Sequence, residues 1–489
     1  MTRPALAAPA VGCARLSRRD PPAAADKLGW PVWRLAWVIV FGAFASGLDA
    51  SLANIGLDTI RSDLHTTLDL VQWVSSGYLL ALAVSLPLCG WLGRKVGVGR
   101  LWLCALAAFT LASGLCAAAP TIDALIALRV IQGLAAGLLI PAGQTILGQA
   151  VGPGRLGRVM ATLGIAVTVA PALGPVVGGL VLHWLSWPWL FLINLPIGAI
   201  GLALGWRLVP RGQVGAAPAL DWRGYAYIGV GLPLMVYALT GWGSTGTVTT
   251  PLVLVPLVLG VLALATFGLR TRHRAHPLMD LRLYRNPVYA AASGATAFTG
   301  AVLFGAGLVF ALYFQILHGD SVVTTGLLLL SLGAGTALVL PLSGRLTDRY
   351  GGGVVSVWGT LLSVAALIPF AFLSAGANPI LLQGLLVLLG MATALAAVPP
   401  GIAAYKTVHA EQLPDATTQV NILQRIGGAL GAALFAVILG RGLPDDALSA
   451  FHATFWWLSG ASIVSLAWSL WLWAALRAHQ QADACPPSQ

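Results

Sequence analysis

The chain has 489 residues, of which 58% are hydrophobic and only 9% charged. A soluble protein carries roughly a quarter charged residues, so a soluble fold is excluded. The net charge of +11 would suit nucleic-acid binding in a soluble chain, but the placement of the basic residues points instead to a membrane. Apolar runs of about 20 residues recur throughout, which is the length of a membrane-crossing helix; long runs rather than short alternating ones select helices over a barrel. An all-α integral membrane protein is therefore expected. Enzyme chemistry finds no support: the three lysines (Lys27, Lys95, Lys406) lie outside any P-loop spacing, H-E-x-x-H and G-x-S-x-G are lacking, and the single glutamate, Glu411, falls in a loop. The five cysteines show no paired or metal-ligand spacing, so no metal site and no cofactor is expected.

In chain order, residues 1–32 are rich in Ala, Pro and Arg without the apolar stretch of a signal peptide, and read as a disordered cytoplasmic tail. Fourteen spans follow, at 33–57, 70–93, 100–119, 123–149, 158–182, 187–208, 222–243, 250–270, 288–315, 322–345, 354–373, 379–406, 418–440 and 454–476. An even count puts both termini on one side. With that topology, all but four of the 27 Lys and Arg fall on the side of the termini. By the positive-inside rule that side is cytoplasmic. The four exceptions are Arg61 and Arg441 in opposite-side loops, and Arg129 and Arg425 inside spans. Tryptophans gather near the span ends, as interfacial anchors do.

A weak internal repeat appears. CGWLGRKVGVGR (89–100) ends span two and SGRLTDRYGGG (343–353) ends span ten. The chain then divides into a tail (1–32), a six-helix bundle (33–208), two inserted helices with a linker (209–286), a second six-helix bundle (287–477) and a second cytoplasmic tail (478–489). Two repeated halves with a substrate site between them make a transporter architecture.

Charge inside the spans is rare and therefore informative. Of the 16 acidic residues only Asp49, in FASGLDASLANIG, is deep. It is about eight residues, or ~12 Å, from the far end of its span, and Arg129 is about six residues, or ~9 Å, from the far end of span four. The two depths leave pairing open. Burial drives a carboxylate toward its neutral form while a neighbouring guanidinium favours the charged one, so such a pair suits a proton carrier. Asn54, a little more than a turn along, is expected near the face of Asp49. The alternative is a structural role: Asp49 holding a helix contact, Arg129 bonding backbone or Gln132. Arg425, near the inner face of span thirteen, either snorkels or meets an inner gate.

Several stretches go beyond membrane composition: LDASLANIGL in span one, RVIQG in span four, APALGPVVGG (170–179) in span five, FLINLPIG in span six and QRIGGALGAA (424–433) in span thirteen. Together, and over residues 33–476, they resemble the major facilitator superfamily, and within it the fourteen-helix drug:proton antiporter family (EmrB/QacA type). The resemblance implies the major facilitator fold, with two inserted helices. It also implies proton-coupled multidrug efflux of lipophilic small molecules across the inner membrane, driven by a proton gradient, with protons and membrane lipids as partners and no nucleic acid. In a Gram-negative cell a periplasmic adaptor and an outer-membrane channel would extend the route. The family's relay arginine falls on Arg129, with Asp49 as the proton-coupling acid. Its antiporter motif makes Pro171, Gly174, Pro175, Gly178 and Gly179 a bending hinge or gate, or else a rigid close crossing. Substrate-cavity candidates are Asn54, Gln132, Gln315, Gln383 and Asn421. The loop motif falls on Gly90, Arg94 and Lys95 in one half and on Gly344, Asp348 and Arg349 in the other; Arg94 stands where the family usually has an acid, which removes an expected charge pair at the inner side. Two other functions stay open: a dedicated exporter of one metabolite or lipid, and a membrane sensor that moves nothing.

Overall fold

A computed structural model of the chain describes residues 29–484, apart from 153–154, 213, 216–218, 273, 275–276 and 375; most of the expected N-terminal tail lies outside the described residues. Every regular element described is a helix. These are α1 (Trp30–Asp63), α2 (Leu68–Ser85), α3 (Leu88–Val96), α4 (Val98–Ala117), α5 (Ile122–Val151), α6 (Leu156–Trp184), α7 (Trp189–Leu192), α8 (Asn194–Leu208), α9 (Trp222–Thr245), α10 (Pro251–Arg272), α11 (Pro287–Leu317), α12 (Val322–Tyr350), α13 (Gly352–Leu367), α14 (Pro379–Lys406), α15 (Leu413–Gly442) and α16 (Ala447–Ala484). Short 3₁₀ turns precede α11 and extend α13.

Twelve of these stretches are long and apolar enough to cross a membrane, and the count is 14 when two bent pairs are each taken as one span. The first pair is α2 and α3, bent by 59°. Pro87 sits at the break, where its missing N–H interrupts the helical ladder. The second is α6, bent by 45° between Pro171 and Val176. The fourteen expected spans thus correspond one to one with the helices. The helices overrun the expected bounds: α1 begins at Trp30, and α16 continues to Ala484 through residues expected to be tail. Apolar hydropathy marks only the stretch a bilayer would cover, whereas the backbone ladder continues into polar sequence until a cap stops it.

Helices α1–α8 pack among themselves, and so do α11–α16. The halves meet where α6 lies along α12 and where α5 and α3 meet α15. Helix α9 covers the seam between α2 and α15, and α10 leans mainly on α9. Outward faces are apolar, as at Leu252 (73% exposed), Leu338 (74%) and Ile380 (80%), which is what a hydrocarbon solvent requires. Exposed Trp30, Trp184, Trp206 and Trp222 sit at helix ends.

The repeat is visible in the backbone. Gly90, Arg94 and Gly97 match Gly344, Asp348 and Gly351 in spacing. Gly97 (φ 88°) separates α3 from α4, and Gly351 (φ 86°) separates α12 from α13. A side chain at either position would be strained, so both halves need glycine to turn the chain there. The end holding these turns, with the basic loops around them, is here called the basic end.

Candidate functional site

Asp49 is 1% exposed and Arg129 is wholly buried. The Nη1 of Arg129 donates to Oδ2 of Asp49 at 2.5 Å and to Oε1 of Gln132 at 2.7 Å, while its Nε donates to the carbonyl of Val74 at 3.0 Å. Oδ1 of Asp49 accepts from Gln132 Nε2 at 3.0 Å and from Asn194 Nδ2 at 2.7 Å. The same Asn194 amide lies 3.0 Å from Ser113 Oγ, whose hydroxyl donates to the carbonyl of Phe191. Aromatic faces enclose the guanidinium: Tyr78 at 4.2 Å and Phe191 at 5.5 Å. The carboxylate accepts three side-chain hydrogen bonds, the condition under which a buried charge is tolerated.

Local sequence explains how six helices reach one point. Gly133 lies one turn beyond Arg129, and a Cβ there would run into the backbone of Tyr78. The RVIQG stretch therefore brings α5 against α2 closely enough for Arg129 to reach Val74. The chain breaks between α7 and α8 at Ile193, which leaves Asn194 at the first position of α8, pointing inward and fully buried. The pairing of Asp49 with Arg129, left open by the sequence, is present, although Asp49 lies deeper than its apolar span suggested. Because α1 runs on to Asp63, Asp49 lies about 14 residues, or ~21 Å, from its far end. Asn54 does not bond Asp49 as anticipated; its Oδ1 accepts from Ser75 at 2.6 Å, and Asn194 takes the place at the carboxylate.

The remaining cavity candidates divide. Gln132 is fully buried within the carboxylate cluster. Asn421 is 8% exposed and donates to Gln144 across the two halves at 2.6 Å. Neither is an open cavity wall in this conformation. Gln383 accepts from the hydroxyl of Ser331, and Gln315 is half-buried in the last turn of α11. Arg425 lies about 12 residues, or ~18 Å, into α15, because that helix begins at Leu413 rather than at the expected span start. That depth removes it from snorkelling range of the basic end.

The bend in α6 lies against α1. A Cβ on Gly174 would overlap the Ser51 side chain, and one on Gly178 would meet Ile55 at 3.2 Å. The Ser51 hydroxyl donates to the carbonyl of Pro171 at 3.0 Å. That carbonyl is the one whose helical partner would be residue 175, and Pro175 has no N–H to give. Ser51 thus satisfies the group the proline releases. Gly179 faces Val323 of α12, in the other half.

At the basic end the halves are fastened twice. Asp348 accepts from the backbone N–H of Gly157 at 2.9 Å and of Arg158 at 3.2 Å, a carboxylate on the N-terminus of α6. Lys406 lies 3.5 Å from the same carboxylate. Gly344 permits this approach, since a Cβ there would press on the backbone of Gly157. In the first half, Arg94 replaces the loop acid, and its Nη1 meets Asp415 at 2.7 Å in the first turn of α15. The charge pair is thus retained with its polarity reversed: the helix start carries the acid and the loop carries the base. Gly90 lies directly beneath Asp415. Lys95 and Arg349 take no part and stack on Trp91 and Tyr350. Thr145 with Thr417, at 3.0 Å, and Gln144 with Asn421 complete the closure between α5 and α15. Missed in sequence were Asn194, Tyr78, Asp415 and Gln144. Asn194 lay within FLINLPIG, a stretch already singled out, but a neutral side chain in an apolar run carries no pairing signal of its own.

Two helical halves, one of them built around a buried ion pair and the two closed against each other at one end, define a membrane transporter. The chain belongs to the Major Facilitator Superfamily, whose sequence profile matches residues 39–432. It is 34% identical over 418 residues to the multidrug resistance protein B homolog of Mycobacterium tuberculosis, covering 85% of this chain and 77% of that one. It is 29% identical over 419 residues to the tetracenomycin C resistance and export protein of Streptomyces glaucescens, covering 84% and 77%. The human organic anion transporter MFSD10 superposes with a TM-score of 0.63 at 18% identity, over 90% of this chain and 99% of that one, a likeness of fold.

Proposed function

We propose that this transporter is a proton-driven antiporter that exports lipophilic small molecules from the cytoplasm by alternating access. The carrying observation is the Asp49 site: one carboxylate on α1, sealed from solvent, held by Arg129 and Gln132 of α5 and by Asn194 of α8. Protonation of Asp49 cancels the charge that Arg129 pairs with and weakens three hydrogen bonds at once, which loosens α1 from α5 and α8. Two residues further along α1, Ser51 is bonded to the bent segment of α6. A shift of α1 is therefore passed to α6, and through α6 to α12 of the other half. The basic end is read as the cytoplasmic face of the inner membrane, because the loops that join the helices there are rich in lysine and arginine. With its fastenings at the basic end intact, the conformation described is one closed to the cytoplasm. Multidrug-resistance and antibiotic-export relatives support efflux as the direction.

Efflux of a lipophilic dye from everted membrane vesicles, energised by an imposed pH gradient, tests this reading. Wild type accumulates dye only while the gradient lasts, and D49N does not respond to it. Gradient-driven accumulation by a correctly inserted D49N would remove Asp49 from the coupling.

A further inference from the structure

Among the described residues, Arg425 is the one cation deep in the spans that the carboxylate cluster does not use. Among the described residues it forms no hydrogen bond, ion pair or ring stack. It is half-buried rather than sealed. Its direction follows from the register of α15: Thr417 and Asn421 both reach across to α5, and Arg425 continues that row one turn further from the basic end. It thus stands about 6 Å above the closed floor that Gln144 and Asn421 make, with its charge in electrostatic reach of Tyr78 in the opposite half. Tyr78 in turn presents its ring face to Arg129 at 4.2 Å, so it touches the Asp49 cluster as well.

A cation at mid-depth with no counter-charge is costly and persists where something supplies the anion. Protein groups do not supply it here. Asp49 is neutralised by Arg129 and sealed, and Asp415 is taken by Arg94. The local balance of the space between the halves is therefore one positive charge, carried by a fork of N–H donors that matches two oxygens of a planar or tetrahedral anion.

We propose that Arg425 is the substrate anchor, and that the exported compounds are amphipathic organic anions bearing a carboxylate or sulfonate beside an apolar ring system. The inference rests on the export reading above and narrows its substrate class. It also places the anion beside Tyr78, one side chain away from Arg129, so that substrate and Asp49 compete electrostatically for the same region.

The test uses the full chain in lipid nanodiscs and three isosteric probes: 2-naphthoate, 2-naphthamide and 2-naphthylmethylammonium. Charged hydrogen bonds contribute about 1.5–3 kcal/mol each, so wild type should bind the carboxylate roughly 10- to 100-fold more tightly than the amide. In R425Q that ratio falls to near one; in R425K, which keeps the charge and loses the fork, it is intermediate. Affinity for the neutral amide reports that each variant is folded. A wild type that does not prefer the carboxylate, or an R425Q protein that keeps the preference, overturns the proposal. The readout is binding without a gradient, so it is separate from coupling: loss of gradient-driven efflux in D49N with the anion preference intact leaves Arg425 as the anchor.

Discussion

Asp49 and Arg129 were legible because each is a lone charge in an apolar run, where charge is expensive and therefore meaningful. Asn194 was not, since an amide is affordable in a helix and nothing in one sequence says which carboxylate, 145 positions away, it reaches. Its importance is nonetheless testable. Asn194→Ala removes a donor to a buried carboxylate and should lower stability by about 1–3 kcal/mol, read as a lower midpoint in a thermal-aggregation assay in detergent. The same variant should lose part of the efflux, because Asp49 is held by fewer donors. Ser51→Ala strands the carbonyl of Pro171 and should have a smaller effect on stability, about 0.5–1.5 kcal/mol, with coupled transport reduced more than ligand binding.

At the scale of elements, the fourteen spans could be read from hydropathy, but their ends could not. Helices α1 and α15 extend well beyond their apolar stretches, and that extension moved Asp49 and Arg425 to mid-depth. The bend in α6 was foreshadowed by Pro171 and Pro175, whereas its partner was not, because a proline announces a freed carbonyl and not the hydroxyl that takes it. The close passage of α1 and α6 gives a direct expectation. Gly174→Leu drives a side chain into Ser51 and should abolish dye efflux while leaving expression and probe binding measurable. Efflux at the wild-type rate would show that the two helices need not approach so closely.

Across the whole molecule, the two halves repeat their loop motif but fasten in opposite ways. Asp348 meets the N-terminus of α6 directly, while Arg94 meets an acid placed at the start of α15. The sequence showed the departure at Arg94 and suggested a lost charge pair; the compensating Asp415 is 321 positions away and was invisible without the fold. Reversing the pair tests the fastening. Arg94→Asp and Asp415→Arg should each destabilise closure of the basic end, by about 1–3 kcal/mol for a partly exposed pair, and the double exchange should recover most of it. Spin-label distances across the basic end, short in wild type and in the exchanged pair but broad in the singles, report this directly.

Proton coupling is the central claim, and it is most directly measured as proton movement itself. In proteoliposomes without any imposed gradient, an outward-to-inward gradient of 2-naphthoate or a lipophilic dye should drive protons in the opposite direction, followed with a trapped pH-sensitive dye. Wild type should show a substrate-dependent proton flux that vanishes in D49N. Substrate flux with no accompanying proton movement in wild type would contradict the account.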